Sequence, residues 1–182
     1  MQYSFDIVLG DEDYLAFNRF HLLKSPYGKK QLRSFRLCLA LFGVVFVAFF
    51  LMFMPAEDKW FLSAVTAVVI ALFEIFASRW LLFFLKKQIK RMKKTGTLGY
   101  SPASRLEFGE DTMKEITPDA MSEQKYSAIE RVSVVEERAV YLHPNAALAF
   151  LLPYDAFASH TEYLEFLAFL QTKIDKIDYY VM

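Results

Sequence analysis

The sequence predicts an α+β membrane protein, in which a two-helix transmembrane hairpin is joined to a small β-sandwich or barrel capped by a C-terminal helix. Three observations carry this. Two long apolar runs are separated by five residues, basic clusters flank the pair, and from Arg105 onward short β-type segments recur between turn signals before one amphipathic helix.

The chain has 182 residues, room for one ordinary domain and a short appendage. Hydrophobic residues make up 55% and Phe alone contributes 19, which is apolar for a soluble protein and mild for one buried wholly in lipid. The net charge of zero hides an asymmetry: residues 1–104 hold 14 Lys or Arg against 7 Asp or Glu, and residues 105–182 hold 7 against 14. An acidic aqueous domain repels polyanions, so nucleic acid is excluded as a direct partner. The single cysteine, Cys38, is read as a small apolar helix residue, since disulfides and metal sites need more ligands. The first long apolar run begins only at Leu37, after a polar stretch that itself reads as folded, so the N-terminus is not read as a cleaved signal.

The first predicted span is Leu37 to Met54, 18 residues without a charge, or roughly 27 Å as a helix. Pro55-Ala56-Glu57-Asp58-Lys59 reads as a tight polar turn, which makes the two helices antiparallel. The second run continues from Trp60 to Leu85, too long for an upright span, so Arg79 is taken as the interface and Trp60 and Trp80 as aromatic anchors at opposite faces. Lys24, Lys29, Lys30, Arg33 and Arg36 before the hairpin, and Lys86, Lys87, Lys90, Arg91, Lys93 and Lys94 after it, place both termini in the cytoplasm. The same clusters attract anionic lipid at about 1 kcal/mol per residue near the surface.

The expected organisation is therefore an N-terminal strand and amphipathic helix over 1–36, the hairpin over 37–94 (spans 37–54 and 60–79) with a helical extension, a linker over 95–103, and a cytoplasmic β-rich domain over 104–182. Tyr3, Phe5, Ile7 and Leu9 alternate as a strand, expected to pair with the C-terminal domain because a lone strand leaves its backbone groups without partners. Asp11-Glu12-Asp13 begin a helix that ends at Ser25-Pro26. Strands are expected over Ser127 to Glu136, Ala139 to His143 and Ala147 to Leu152, with turns at Phe108-Gly109-Glu110-Asp111, Thr117-Pro118-Asp119 and His143-Pro144-Asn145. Ser159 with Glu162 makes a capping box for a helix whose Tyr163, Leu167, Leu170, Ile174 and Ile177 share a face.

The run from Lys125 to Val132, then Val140-Tyr141-Leu142, then Ala149-Phe150-Leu151-Leu152-Pro153 with Phe157, resembles the C-terminal domain of YcxB-like bacterial membrane proteins. Asp13-Tyr14-Leu15-Ala16-Phe17-Asn18, the Ser25-Pro26 break and the hairpin look like that family's opening, so the resemblance covers nearly the whole chain. It implies a bacterial cytoplasmic membrane location and a domain similar to a pleckstrin-homology (PH) fold, a bent β-sandwich capped by a helix. Tyr154 and Asp155 stand where relatives often carry a basic residue after the proline, which tells against an anionic-ligand role at that position.

Among candidate chemical groups, Glu74 is the most informative, because a carboxyl inside an apolar helix is costly and usually faces protein. Ser63, Ala67, Ala71, Glu74 and Ser78 fall on one stripe suited to close packing. Glu74 is read as a neutral acid hydrogen-bonded across a helix interface, in preference to a titrating site, since no second ionisable group lies in the first span. Arg79, about 140° around the helix from it, is not its natural partner. Lys94-Thr95-Gly96 and Ser122-Glu123-Gln124-Lys125 match fragments of penicillin-recognising serine enzymes in reversed order and without a Ser-Asp-Asn element, a chance match. His21, His143 and His160 lack ligand spacing and are expected at surfaces or turns. Gly96 and Gly99 are linker glycines, not a phosphate loop. With no nucleophile, base or metal set, the sequence points to a non-enzymatic interaction or regulatory module without a cofactor, whose partners are the lipid bilayer and a protein or a second copy of the chain. The alternative is a small transport or sensing component using Glu74 in an oligomeric bundle.

Overall fold

The structure, a computed structural model, describes residues 2–53, 55, 59–96, 98, 100–146 and 148–181. It is α+β and divides into two compact units, one formed by Met1–Tyr14 with Gly99–Met182, the other by Leu15–Leu98.

The first unit holds two four-stranded sheets. β1 (Tyr3–Val8), β2 (Ala103–Phe108), β3 (Thr112–Ile116) and β4 (Met121–Lys125) form an antiparallel sheet in sequence order. β1 pairs with β2 over its whole length, Tyr3 opposite Phe108 and Val8 opposite Ala103, as the alternation of its residues requires. Phe5 and Ile7 point into the core at 3% and 2% exposure while Val8 stands out at 80%. The turns expected after Phe108 and at Thr117-Pro118 join β2 to β3 and β3 to β4; in the second, the Thr117 hydroxyl accepts from Ala120 N–H at 3.0 Å.

The second sheet has the order β7-β6-β5-β8. β5 (Arg131–Val135), β6 (Ala139–His143) and β7 (Phe150–Pro153) are antiparallel, and β8 (Ile177–Tyr180) lies parallel to β5. The strand expected from Ser127 begins only at Arg131, because Tyr126–Ala128 close a 3-10 turn in which Ile129 N–H returns to Tyr126 O at 3.0 Å. The third expected strand is confined to Phe150–Pro153; Ala147, its expected start, lies outside the described residues.

A helix, His160–Lys173, covers the core between the sheets, numbered α4 after the three helices of the second unit. Its capping box is present in altered form: Glu162 N–H donates to Ser159 Oγ at 3.1 Å, and Glu162 Oε2 accepts from Ala158 N–H at 2.7 Å, one residue before the cap. The expected helical face over Ile174 and Ile177 is wrong. Ile174 is extended and Ile177 opens β8, since the Ile177-Asp178-Tyr179-Tyr180 run fits the vacant flank of β5. Phe5, Phe108, Phe157 and Phe166 meet edge-on or tilted, with centroids 4.8–6.0 Å apart, and tie both sheets to α4.

Three helices make the second unit. α1 (Asp11–Leu23) begins in the β unit and continues into this one, followed by α2 (Pro26–Phe53) and α3 (Lys59–Thr95). Lys29, Lys30, Arg33 and Arg36, which the sequence places before the hairpin, are part of its first helix, because Pro26 starts α2 rather than only ending α1; proline at a first helical position sacrifices no hydrogen bond. Met54, and the turn expected over Ala56 to Asp58, lie outside the described residues. A Cβ on Gly28 would collide with the His21 carbonyl, so only glycine lets the start of α2 approach the end of α1.

α2 and α3 pack antiparallel. Gly28, Leu32, Arg36, Ala40, Gly43, Val47 and Leu51 recur every three or four residues on the covered face of α2. A Cβ on Gly43 would meet the Ile70 side chain of α3. Both helices are long and apolar enough to cross a membrane, and only 6% of the most apolar window of each is buried, which core helices of a soluble fold do not show.

Candidate functional site

Two places concentrate the polar chemistry of the chain, and each lies within one unit. In the helical unit, the sequence-predicted stripe on α3 is only partly the packing face: Ser63, Glu74 and Ser78 are half-covered, whereas Ala67 and Ala71 are exposed. The covered face instead runs through Thr66, Ile70, Glu74 and Ala77, because each step of three or four drifts differently around a 3.6-residue helix. Glu74 has an ionisable neighbour on α2, contrary to expectation: Arg36 Nε stands 3.6 Å from Glu74 Oε2. Arg36 lies one residue before the expected span, and the early start of α2 turns it onto the interface. The contact joins α2 to α3 across their covered face. Arg79 sits over the Phe76 ring at 5.7 Å, away from Glu74 as the helix geometry demands.

The remaining members of the basic clusters, Lys24, Lys29, Lys30, Arg33, Lys86, Lys87, Lys90, Arg91, Lys93 and Lys94, are exposed. Lys24 lies in the turn before α2, and the others occupy the first part of α2 and the last part of α3, which the antiparallel packing brings to one end of the pair. At that end a cleft of about 430 Å³ opens, with Asn18, Gln31 and Ser34 on one side and Leu81, Leu82 and Leu85 on the other.

In the β unit, a groove of about 330 Å³ runs between the end of β5, α4 and β8. Its floor carries Tyr163, Leu167 and Tyr180, its walls Leu164 and Tyr179, and its mouth Glu136, Glu137 and His160. Two bonds hold the rim: Gln171 Nε2 donates to the Tyr179 hydroxyl at 2.7 Å, and the Tyr154 hydroxyl lies 2.9 Å from His160 Nδ1. Burial pushes the Tyr163 hydroxyl above the usual phenol range, and the neighbouring Tyr179, Glu136, Tyr154 and Glu137 push it further. Glu137 has φ +51 in the β5–β6 turn, a conformation that glycine adopts freely and that crowds the Cβ of any other residue, at about 1 kcal/mol.

Sequence reasoning missed this groove because it assigned Ile177 to a helix. The signal was present, since Ile177, Tyr179 and Val181 alternate with Asp178 and Tyr180. Of the three histidines, His160 is exposed at the groove and His21 lies in α1. His143, expected at a surface or turn, is the buried last residue of β6 at 2% exposure, and the turn follows at Asn145, whose Oδ1 accepts from Leu148 N–H at 2.9 Å. Among the described residues, no three His, Cys, Asp or Glu side chains converge to hold a metal ion.

No family model, no curated protein and no solved structure matches this chain.

Proposed function

We propose that the protein is a membrane-anchored, non-enzymatic interaction or regulatory module, in which α2 and α3 form a transmembrane hairpin and the β unit is a PH-like domain presented to a protein partner in the cytoplasm. One observation carries the proposal: α1, α2 and α3 are inserted between β1 and β2, two strands paired residue for residue in one sheet. An insertion between hydrogen-bonded neighbours has to leave and return on the same side, so it crosses a bilayer an even number of times. The basic ends of the helix pair favour the cytoplasm for that side, and the resemblance to YcxB-like proteins favours a bacterial inner membrane. Two sheets over one core, covered by α4, support the PH-like reading.

The second reading makes Glu74 a titrating group in a transport or sensing bundle. Arg36 at 3.6 Å supports a packing role instead, because the contact joins Glu74 on α3 to α2 across the covered face of the pair. The test is purification of the full chain from native membranes, alongside Glu74→Gln. A stoichiometric protein partner retained by the variant is the expected result. A variant that accumulates normally, keeps its partner and loses the cellular phenotype would establish the transport or sensing reading instead.

A further inference from the structure

We propose that the free edge of β8 and the groove beside it form a docking site for an extended basic segment of a partner protein, which adds to β8 as a strand and sets a lysine or arginine between Glu136 and Glu137. This rests on the interaction-module reading and names the chemistry of the partner.

The backbone supplies the first argument. β8 ends its sheet, and among the described residues no strand pairs with its outer side. Val132 N–H donates to Lys176 O at 2.9 Å and Glu136 N–H to Tyr180 O at 3.1 Å, so the even-numbered residues face β5. In a parallel ladder the alternate residues, Ile177 and Tyr179, then turn their N–H and C=O outward, a template for one more strand.

The side chains say what that strand carries. Leu164, Tyr179 and Val181 are 51%, 57% and 75% exposed beside the edge, an apolar patch on the unit that lacks the apolar spans. Among the described residues, Glu136 and Glu137 are the only charged side chains lining the groove, with the titratable His160 across from them and Arg138 next along the turn. The unit as a whole holds 7 Lys or Arg against 18 Asp or Glu, the 14 acids after residue 104 together with Asp6, Asp11, Glu12 and Asp13. An acidic mouth over tyrosine walls complements a cation flanked by apolar side chains and repels an acidic segment. Glu137 adds a geometric argument, because its positive φ in the tight β5–β6 turn fixes the backbone that carries the carboxylate at the mouth of the groove.

The experiment uses the full chain in nanodiscs of neutral phosphatidylcholine, titrated with fluorescent ten-residue peptides of alternating lysine and valine or alternating glutamate and valine. Saturable binding of the lysine peptide is expected, at least about tenfold tighter than the glutamate peptide, with a loss of about tenfold in Glu137→Asn, the scale of one hydrogen bond to a charged group. Asparagine tolerates the positive φ, so that variant keeps the turn. Tyr179→Pro removes an outward N–H without breaking a bond to β5 and should abolish binding; near-ultraviolet circular dichroism confirms that it is folded. Equal binding of the two peptides, or full affinity in Glu137→Asn, overturns the proposal. So does concentration-dependent pairing of nanodisc-held chains that the lysine peptide leaves intact and Tyr179→Pro removes, which would assign the edge to a second copy. A partner captured from native membranes that binds through another surface would refute this site while leaving the module reading standing.

Discussion

The β unit and the two long helices, α2 and α3, use the same residue type in opposite ways. In the β unit the phenylalanines converge, and Phe108 and Phe166 have no exposed surface; in the helical unit Phe42 is 69% and Phe83 66% exposed, and Trp60 stands out at 72%. Charge divides as sharply: the helical unit, residues 15–98, holds 14 Lys or Arg against 3 Asp or Glu, so it carries +11 where the β unit carries −11. A run of exposed phenylalanines along two helices long and apolar enough to cross a membrane is the pattern expected where lipid replaces water as the surrounding medium. A cluster of lysine and arginine is attracted to anionic surfaces and a net acidic unit is repelled by them, so the two units differ in the surfaces they suit.

The comparison breaks most visibly if the helices do not cross a bilayer. In a Cys38→Ser background, Pro55→Cys should react fully with an impermeant thiol reagent outside intact cells, and Ala103→Cys only after permeabilisation. Labelling of Ala103→Cys in intact cells would reverse the orientation, and equal labelling of both would abolish the span.

The next largest effect sets two phenylalanines against each other. Phe5→Ala empties a site enclosed by Phe108, Phe157 and Phe166 and should cost the β unit about 3–5 kcal/mol, read by denaturant unfolding of the near-ultraviolet signal. Phe42→Ala, a substitution on an exposed face, should stay within about 0.5 kcal/mol. A large loss at Phe42 would mean that the face is covered by protein and not by lipid.

Within the helical unit the contrast can be sharpened on two glycines. Gly28→Ala drives a methyl group into the His21 carbonyl, and a backbone cannot swing aside, so a loss of about 1–3 kcal/mol is expected in a detergent unfolding titration. At Gly43 the obstacle is the end of the Ile70 side chain, whose rotation limits the loss to about 0.5–1 kcal/mol. The reverse order would place the tight contact between α2 and α3 instead of at the α1–α2 corner.

Much of this division was legible in the sequence, where periodicity is local. The alternation at Tyr3 to Leu9, the apolar runs and the Ser159 cap each declare an element, and the pairing of β1 with the C-terminal domain follows from the strand's need for partners, although the sequence does not name β2 as the one. What remained hidden depends on tertiary neighbours. Ile177 satisfies a helical spacing and a strand alternation equally, and only the open flank of β5 decides between them. Arg36 reads as a topology charge until Pro26 is known to start the helix that turns it toward Glu74. Ala67 and Ala71 are small residues at plausible intervals, yet the covered face of α3 is set by where α2 lies, which a one-dimensional stripe does not specify.

The smallest effect should come from the pair with the best geometry. Asp6 lies opposite Arg105 on the paired strands β1 and β2, and the guanidinium forks onto it with Nε to Oδ1 at 2.6 Å and Nη2 to Oδ2 at 3.2 Å. The Arg105 hydrogen bond holds the Asp6 carboxyl below its ordinary value of 3.8. A lowered carboxylate contributes stability above its unfolded value and loses it as pH falls through the folded one, so the contribution is complete at neutral pH and fades only below about pH 4. Both side chains nevertheless stand in water, at 51% and 75% exposure, where solvent and salt screen the attraction. Asp6→Asn should therefore leave neutral-pH unfolding of the β unit unchanged within error and remove only a shallow decline below pH 4. The adjacent Phe5 faces the core and Asp6 faces solvent, so the two substitutions probe opposite sides of one strand. If Asp6→Asn loosened β1 as much as Phe5→Ala, the strand would be held by its charges, and the attachment of the helical insertion to the β unit would depend on ionic strength; a hydrophobic hold predicts that unfolding in 0.1 M and, on the order of a Debye length of 3 Å, 1 M salt coincides.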